Sequence, residues 1–135
     1  MPNAARIVRL IHTALFGGVV IAAVVVALAL GRAAPPPQLA PVALYALPAA
    51  AAAALLLAAL VLRPRIPERA SADSPDAYWA RPEVRAVAVT LWAVVEGAGL
   101  IGVVGYVITG LSAMLIVTVV AVAAGVVFRP GTLEG

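Results

Sequence analysis

The sequence predicts an all-α integral membrane protein with four transmembrane helices, and its composition and four apolar stretches carry that prediction. Hydrophobic residues make up 64% of the 135 residues and charged residues only 11%, a balance that is not typical of soluble domains. The apolar stretches span residues 7–30, 39–62, 84–108 and 111–128, and each is long enough to cross a bilayer core. Such stretches must be helical in lipid, because every backbone polar group needs a partner within the segment.

Arginine placement predicts the orientation. The chain has nine arginines and no lysine, and eight of the nine fall on one side of the membrane if the chain crosses four times. Only Arg32 falls on the other side. The positive-inside rule makes the arginine-rich side the cytoplasm, so both termini and the 63–82 loop are expected there. We therefore expect a multi-pass protein of a bacterial-type inner (plasma) membrane.

The four helices are expected to form two antiparallel hairpins within a single domain, residues 1–135. The proline-rich segment 31–38 is a stiff connection between the first two helices. Thr109 and Gly110 form a very short connection between the last two, which makes those helices antiparallel neighbours.

The 63–82 loop carries a helix-start signal. Ser74, Pro75 and Asp76 combine a cap residue, a first-turn proline and a first-turn acid. Tyr78 and Trp79 follow, and both residue types suit the lipid headgroup layer. A short interfacial helix is expected here, with an irregular polar linker as the alternative.

Small residues indicate where helices approach closely. At about 100° per residue, Ala98, Gly102 and Gly105 lie on one stripe of the third helix. We expect this stripe to pack against the fourth helix or another helix of the chain, because small residues let backbones approach in lipid. The alternative is that these glycines reflect their general enrichment in membrane helices. Gly17 and Gly18 offer a similar packing surface on the first helix.

Glu96 is the only acidic residue inside the four apolar stretches, and it lies near the middle of the third. A charged carboxylate at the bilayer centre costs about 3 kcal/mol on insertion scales. No arginine reaches that depth, so we expect a neutral carboxylic acid, with Thr118 of the fourth helix as a candidate hydrogen-bond partner. Three roles remain open for Glu96. It could exchange a proton or cation, fix helix packing as a hydrogen-bonding group, or contact a partner subunit or a cofactor.

His12 is the single histidine, and it lies near the cytoplasmic end of the first helix. Imidazole can ligate metals, which leaves haem or chlorophyll as a weaker alternative, while a solvated or neighbour-bonded histidine is the more common case. We predict no cofactor. The chain has no cysteine, which excludes disulfides and cysteine-ligated metals within it.

The segment 96–102 (Glu-Gly-Ala-Gly-Leu-Ile-Gly) resembles the carboxylate-bearing helix of the proteolipid (c) subunits of rotary ATPases. The resemblance covers one helix of four, and it implies proton or cation chemistry at Glu96. The chain departs from that family in three ways. The first and third helices lack the repeated Gly-x-Gly-x-Gly pattern, the turn at Thr109 and Gly110 has no Arg-Gln-Pro-type loop, and the expected orientation places that turn outside the cell.

These features predict a protein without enzymatic activity. No nucleophile–base pair, phosphate-binding loop or metal cluster is evident. The net charge of +3 does not indicate nucleic-acid binding, because the arginines cluster at membrane edges. We expect an accessory or scaffold subunit of a membrane complex, or a self-associating bundle, whose partners are the lipid bilayer and other subunits or copies of itself. The alternatives are a proton- or cation-handling protein using Glu96 and a pigment- or haem-associated subunit using His12.

Overall fold

A computed structural model describes residues 3–30 and 41–134, so the predicted proline-rich connection lies outside the described residues. Within those ranges the regular elements are helical. The helices are α1 (Ala4–Leu30), α2 (Pro41–Leu57), α3 (Pro75–Ala80), α4 (Pro82–Thr109), α5 (Ala113–Val127) and α6 (Pro130–Leu133). A π-helical turn over Ala58–Leu62 and a 3-10 turn over Arg63–Arg65 extend α2.

Three of the helical segments are long and apolar enough to cross a membrane: Ala4–Ala29, Leu44–Arg65 and Pro82–Thr109. The expectation of a helical membrane protein is confirmed at this level. The fourth predicted transmembrane helix corresponds to α5, which has 15 residues and is therefore shorter than predicted. At a rise of about 1.5 Å per residue it measures about 22 Å, less than a typical hydrocarbon core.

Helix α4 is the centre of the bundle, because it packs against each of α1, α2 and α5. Among the described residues, α1 and α2 do not form a packed interface with each other. The first two transmembrane helices, expected to form an antiparallel hairpin, are therefore not packed neighbours. Instead they use different faces of α4. Val19 of α1 contacts Gly99, whereas Ala51 of α2 lies in one cluster with Ala98 and with Ala121 of α5.

The turn between α4 and α5 is built around Gly110. Its φ of 67° and ψ of 4° are left-handed, a conformation that favours glycine at the end of a helix. The Gly110 N–H donates to the Tyr106 carbonyl at 2.8 Å, and the Thr109 hydroxyl donates to the Gly105 carbonyl at 2.7 Å. These bonds close the last turn of α4 and direct α5 back along it.

Helices α4 and α5 are in backbone contact at Gly102. A Cβ atom added there would lie 2.7 Å from the Thr118 nitrogen and 2.8 Å from the Met114 carbonyl oxygen. One turn further along α4, a Cβ atom on Gly105 would meet the Met114 side chain at 3.1 Å. The predicted small-residue stripe of Ala98, Gly102 and Gly105 thus faces other helices of the same chain, mainly α5.

Gly17 and Gly18 do not pack as expected. Nothing lies within 4 Å of a Cβ atom added at either position, so neither glycine brings α1 close to another described helix. The reason is their angular position. Helix α1 buries the face that carries Val8 and Val19. At about 100° per residue, Gly18 lies about 80–100° and Gly17 about 160–180° around the helix from these two residues.

One end of the bundle, here called the cap end, gathers segments that are distant in sequence. The Asp76 carboxylate of α3 accepts from the Ala5 N–H at 3.1 Å, and the Trp92 indole of α4 donates to the Phe128 carbonyl at 2.7 Å. Ala58, the first residue of the α2 extension, and Ile66, the residue that follows the extension, belong to the same buried cluster. Helices α1 and α4 therefore run away from the cap end, and α2 and α5 run toward it.

Helix α3 begins where the sequence of the 63–82 loop predicted a helix start, but its aromatic residues do not lie where they were expected. The Ser74 hydroxyl accepts from the Ala77 N–H at 3.2 Å, as a cap residue does. Tyr78 and Trp79, expected in the headgroup layer, are instead fully buried at 0% exposure. They are buried because α3 folds back against α1 and α4.

We predict that Gly102→Ala destabilises the bundle by about 1–3 kcal/mol, because the new methyl group meets backbone atoms that can move only if α4 and α5 separate. Gly18→Ala, where the added carbon meets nothing, is the matched control and should leave stability unchanged or raise it slightly through helix propensity. Reversible unfolding of both variants in detergent measures the difference. Equal stability of the two variants would contradict the backbone contact.

Candidate functional site

Glu96 lies at the border between the buried and the outward faces of α4. Trp92 and Leu100 flank it at about 40° on either side around the helix axis. Trp92 is fully buried, whereas Leu100 is 39% exposed. Glu96 itself is half-buried. Its carboxyl group therefore sits at the surface of the bundle, facing the side on which lipid or another protein would lie.

The described residues provide no hydrogen-bond donor or ion-pair partner to the Glu96 carboxyl. Thr118, the partner considered from sequence, is buried and donates its hydroxyl to the Gly99 carbonyl at 2.9 Å. The helix register explains this difference. Gly102 of α4 lies against Thr118, so Glu96 is six residues, or about 9 Å along the axis, from the level of Thr118.

His12 joins α1 to the carboxyl end of α5. Its Nε2 lies 3.0 Å from the Gly125 carbonyl oxygen, which can only accept, so Nε2 carries the proton and donates. The ring packs against Phe16 at 4.8 Å and against Trp92 at 5.1 Å between centroids. Because Nε2 is engaged and aromatic rings crowd the imidazole, this arrangement does not fit axial ligation of a haem or chlorophyll.

The contact of α1 with α5 depends on Gly125. A Cβ atom added there would come within 2.6 Å of the Phe16 ring, so a larger residue would force the ring to shift from its place against the α5 backbone. This approach brings the Gly125 carbonyl to His12. Both Gly125 and Phe128 offer carbonyls that the end of a helix leaves without backbone donors, and the side chains of His12 and Trp92 supply those donors.

The aromatic cap, defined as His12, Phe16, Tyr78, Trp79 and Trp92, lies at the carboxyl end of α5. The Trp79 and Trp92 rings lie 6.0 Å apart, and the Tyr78 and Trp79 rings lie 4.9 Å apart at a steep angle. The cap joins α1, α3 and α4 into one aromatic cluster. No sequence periodicity marks this group, because its members come from three separate segments.

The C-terminal residues close the cap. The Trp79 indole donates to the Glu134 carboxylate at 2.8 Å, and Arg9 lies 3.8 Å from the same oxygen. The Tyr78 hydroxyl lies 2.7 Å from the Pro67 carbonyl oxygen and 3.3 Å from that of Leu133. Glu134 is only 8% exposed, so an acidic residue that the sequence did not single out is buried in the protein.

Burial raises the pKa of Tyr78 above its ordinary value, and the nearby Arg81 guanidinium opposes that shift. Arg81 lies 4.9 Å from the centre of the Tyr78 ring and 3.3 Å from the Asp73 carboxylate. Burial has the larger effect because the phenolate would lose its hydration among the residues of the cap. The hydroxyl therefore stays protonated, and able to donate, through neutral pH.

An apolar groove of about 340 Å³ separates α1 from α5 in the half of the bundle away from the cap end. Its lining side chains lie between residues 20 and 27 of α1 and between residues 115 and 122 of α5. Thr118 is the polar member of this lining, and its hydroxyl is already bonded to Gly99. Within residues 3–30 and 41–134, no group of three His, Cys, Asp or Glu side chains could hold a metal ion.

Comparisons with known proteins do not assign this arrangement to a family. No protein-family model matches the chain, and neither a curated protein nor a solved structure matches it.

Stability should fall as pH rises above about 10. Tyr78 has a higher pKa in the folded protein than in the unfolded chain. Its contribution to the free energy of unfolding is therefore complete at pH values below the pKa of the unfolded chain, and it is lost as the pH rises through the pKa of the folded protein. Unfolding free energies in detergent between pH 8 and 11 measure the slope. Tyr78→Phe should be less stable at pH 8, because it leaves the Pro67 carbonyl without its donor. The unfolding free energy of Tyr78→Phe should also decline less steeply with rising pH than that of the unsubstituted protein. Equal slopes in the two proteins would contradict this account.

Proposed function

We propose that the chain is a non-enzymatic four-helix membrane protein that works as an accessory or scaffold subunit of a membrane assembly, built with other subunits or with copies of itself. The observation that carries the proposal is the Glu96 carboxyl at the surface of α4, without a partner in the described residues. In hydrocarbon such a group is costly, and a neighbouring membrane protein can offset that cost by hydrogen bonding.

The proposed topology has four crossings of a bacterial-type plasma membrane, with both termini and the 63–82 segment in the cytoplasm. The meeting of α1, α3, α4, α5 and α6 at the cap end supports it, since the arginine-bearing segments among the described residues adjoin this end. The shortness of α5 is compatible with a crossing, because the aromatic cap satisfies its last carbonyls.

Proton or cation handling by Glu96 is the second candidate. The observation that favours this candidate is the same half-buried Glu96 carboxyl, which lies at the bundle surface. The geometry supports it less well, because Thr118 and His12, the other polar groups singled out in the membrane helices, are bonded to the Gly99 and Gly125 carbonyls. The third candidate, pigment or haem binding through His12, is disfavoured by the engaged Nε2.

The topology can be tested by labelling single cysteines, because the chain contains none of its own. Ser112, in the turn before α5, and Ser71, in the 63–82 segment, are both exposed. We expect a membrane-impermeant maleimide to label Ser112→Cys in intact cells, and Ser71→Cys only after permeabilisation. Labelling of both positions from the same side would show that α5 or another helix does not cross.

The assembly role can be tested by purifying the chain from its own membranes in a mild detergent and measuring the mass and composition of the particle by native mass spectrometry. We expect a defined complex of more than one chain. Glu96→Gln retains a polar side chain without ionisation, so it should leave that complex intact if the role is assembly. A monodisperse lone monomer would refute the proposal. Intact assembly with lost proton-linked activity in Glu96→Gln would favour the second candidate.

A further inference from the structure

The surface of α4 beside Glu96 is open. Gly97 has nothing within 4 Å of an added Cβ atom, and Ala93, one turn earlier, is exposed. This contrasts with Gly99, Gly102 and Gly105 on the other side of the helix, whose space is filled by Val19, Thr118 and Met114. Gly97 and Ala93 leave room beside the carboxyl, and the exposed Leu100 offers an apolar contact on the same face, so another helix can pack against α4 at Glu96.

A partner for Glu96 must place a polar group at the same depth in the membrane. A second copy of this chain meets that condition without further coincidence, because every copy inserts with the same orientation. A two-fold axis along the membrane normal then brings Glu96 of one copy to Glu96 of the other. A different protein would need its own polar group at that depth and on an accessible face.

We propose that two copies of this chain associate through the outward face of α4, with their Glu96 carboxyl groups hydrogen-bonded to each other. With both protonated, each hydroxyl donates to the oxygen of the other, and both groups are satisfied. This inference rests on the proposed assembly role and names its partner as a second copy.

Cysteine crosslinking in native membranes tests the interface directly. Gly97→Cys should form a covalent dimer when copper phenanthroline is added as oxidant, because residue 97 lies beside the proposed contact. Ala93→Cys, on the same face, is a second reporter should Gly97→Cys fold poorly. Val119→Cys is the matched control. It is 66% exposed on α5, about 6 Å along the bundle axis from the level of Gly97 and away from the proposed interface, and it should remain monomeric.

Substitution of Glu96 tests the chemistry of the contact. A glutamine amide both donates and accepts, so Glu96→Gln should retain the dimer. Methionine has a similar length but no hydrogen-bonding group of comparable strength, so Glu96→Met should weaken the association constant about 10-fold, measured by energy transfer between labelled copies in vesicles.

The outcomes separate this inference from the assembly role. Crosslinking at residues 93 and 97 but not 119, together with weakening by methionine alone, supports the two-fold contact. Equal crosslinking at all three positions, or unchanged association of Glu96→Met, overturns it. A complex that contains a different membrane protein against α4 overturns this inference and leaves the assembly role standing. A lone monomer in membranes and in detergent overturns both.

Discussion

The backbone contact between α4 and α5 at Gly102 is the interaction on which the rest of the structure depends. In lipid, helices gain nothing from the hydrophobic effect by leaving hydrocarbon for each other, so association relies on close packing and interhelical hydrogen bonds. The missing side chain lets Thr118 come close enough to donate to the Gly99 carbonyl. That bond sets the register of the two helices, and the same register places Phe128 beside Trp92.

The register also creates the aromatic cap. Because α5 ends at Val127, its last carbonyls would lie unpaired inside the protein without donors from elsewhere. His12 and Trp92 provide those donors, and Tyr78 and Trp79 belong to the same cap. A short helix is therefore compatible with a membrane bundle here, since side chains from α1 and α4 do what further turns of α5 would otherwise do.

The same packing explains why Glu96 stands apart. Helix α4 turns its small residues Gly99, Gly102 and Gly105 toward Val19 and α5. The carboxyl, about 60° or more around the helix from these residues, remains at the edge of the occupied face. Its cost of about 3 kcal/mol as a charge is a sizeable fraction of the stability of a typical domain, which is only about 5–15 kcal/mol. A contact with another chain can offset that cost more simply than the described residues do.

Sequence alone determined the helical class, the apolar segments, the Ser74 helix start, the stripe through Gly102 and the place of Glu96 as the single acidic residue within the apolar segments. Each of these follows from local composition or from helical periodicity, which neighbouring segments do not alter. Tertiary structure alone decided that α1 and α2 pack on α4 rather than on each other, that Thr118 bonds to Gly99, and that Trp79 and Glu134 are buried. These outcomes depend on helix register and on contacts between distant segments. Helix register and long-range contacts depend on which helix backbones can approach each other. This depends on the surfaces of two helices together, so it cannot be read from the sequence of one helix alone.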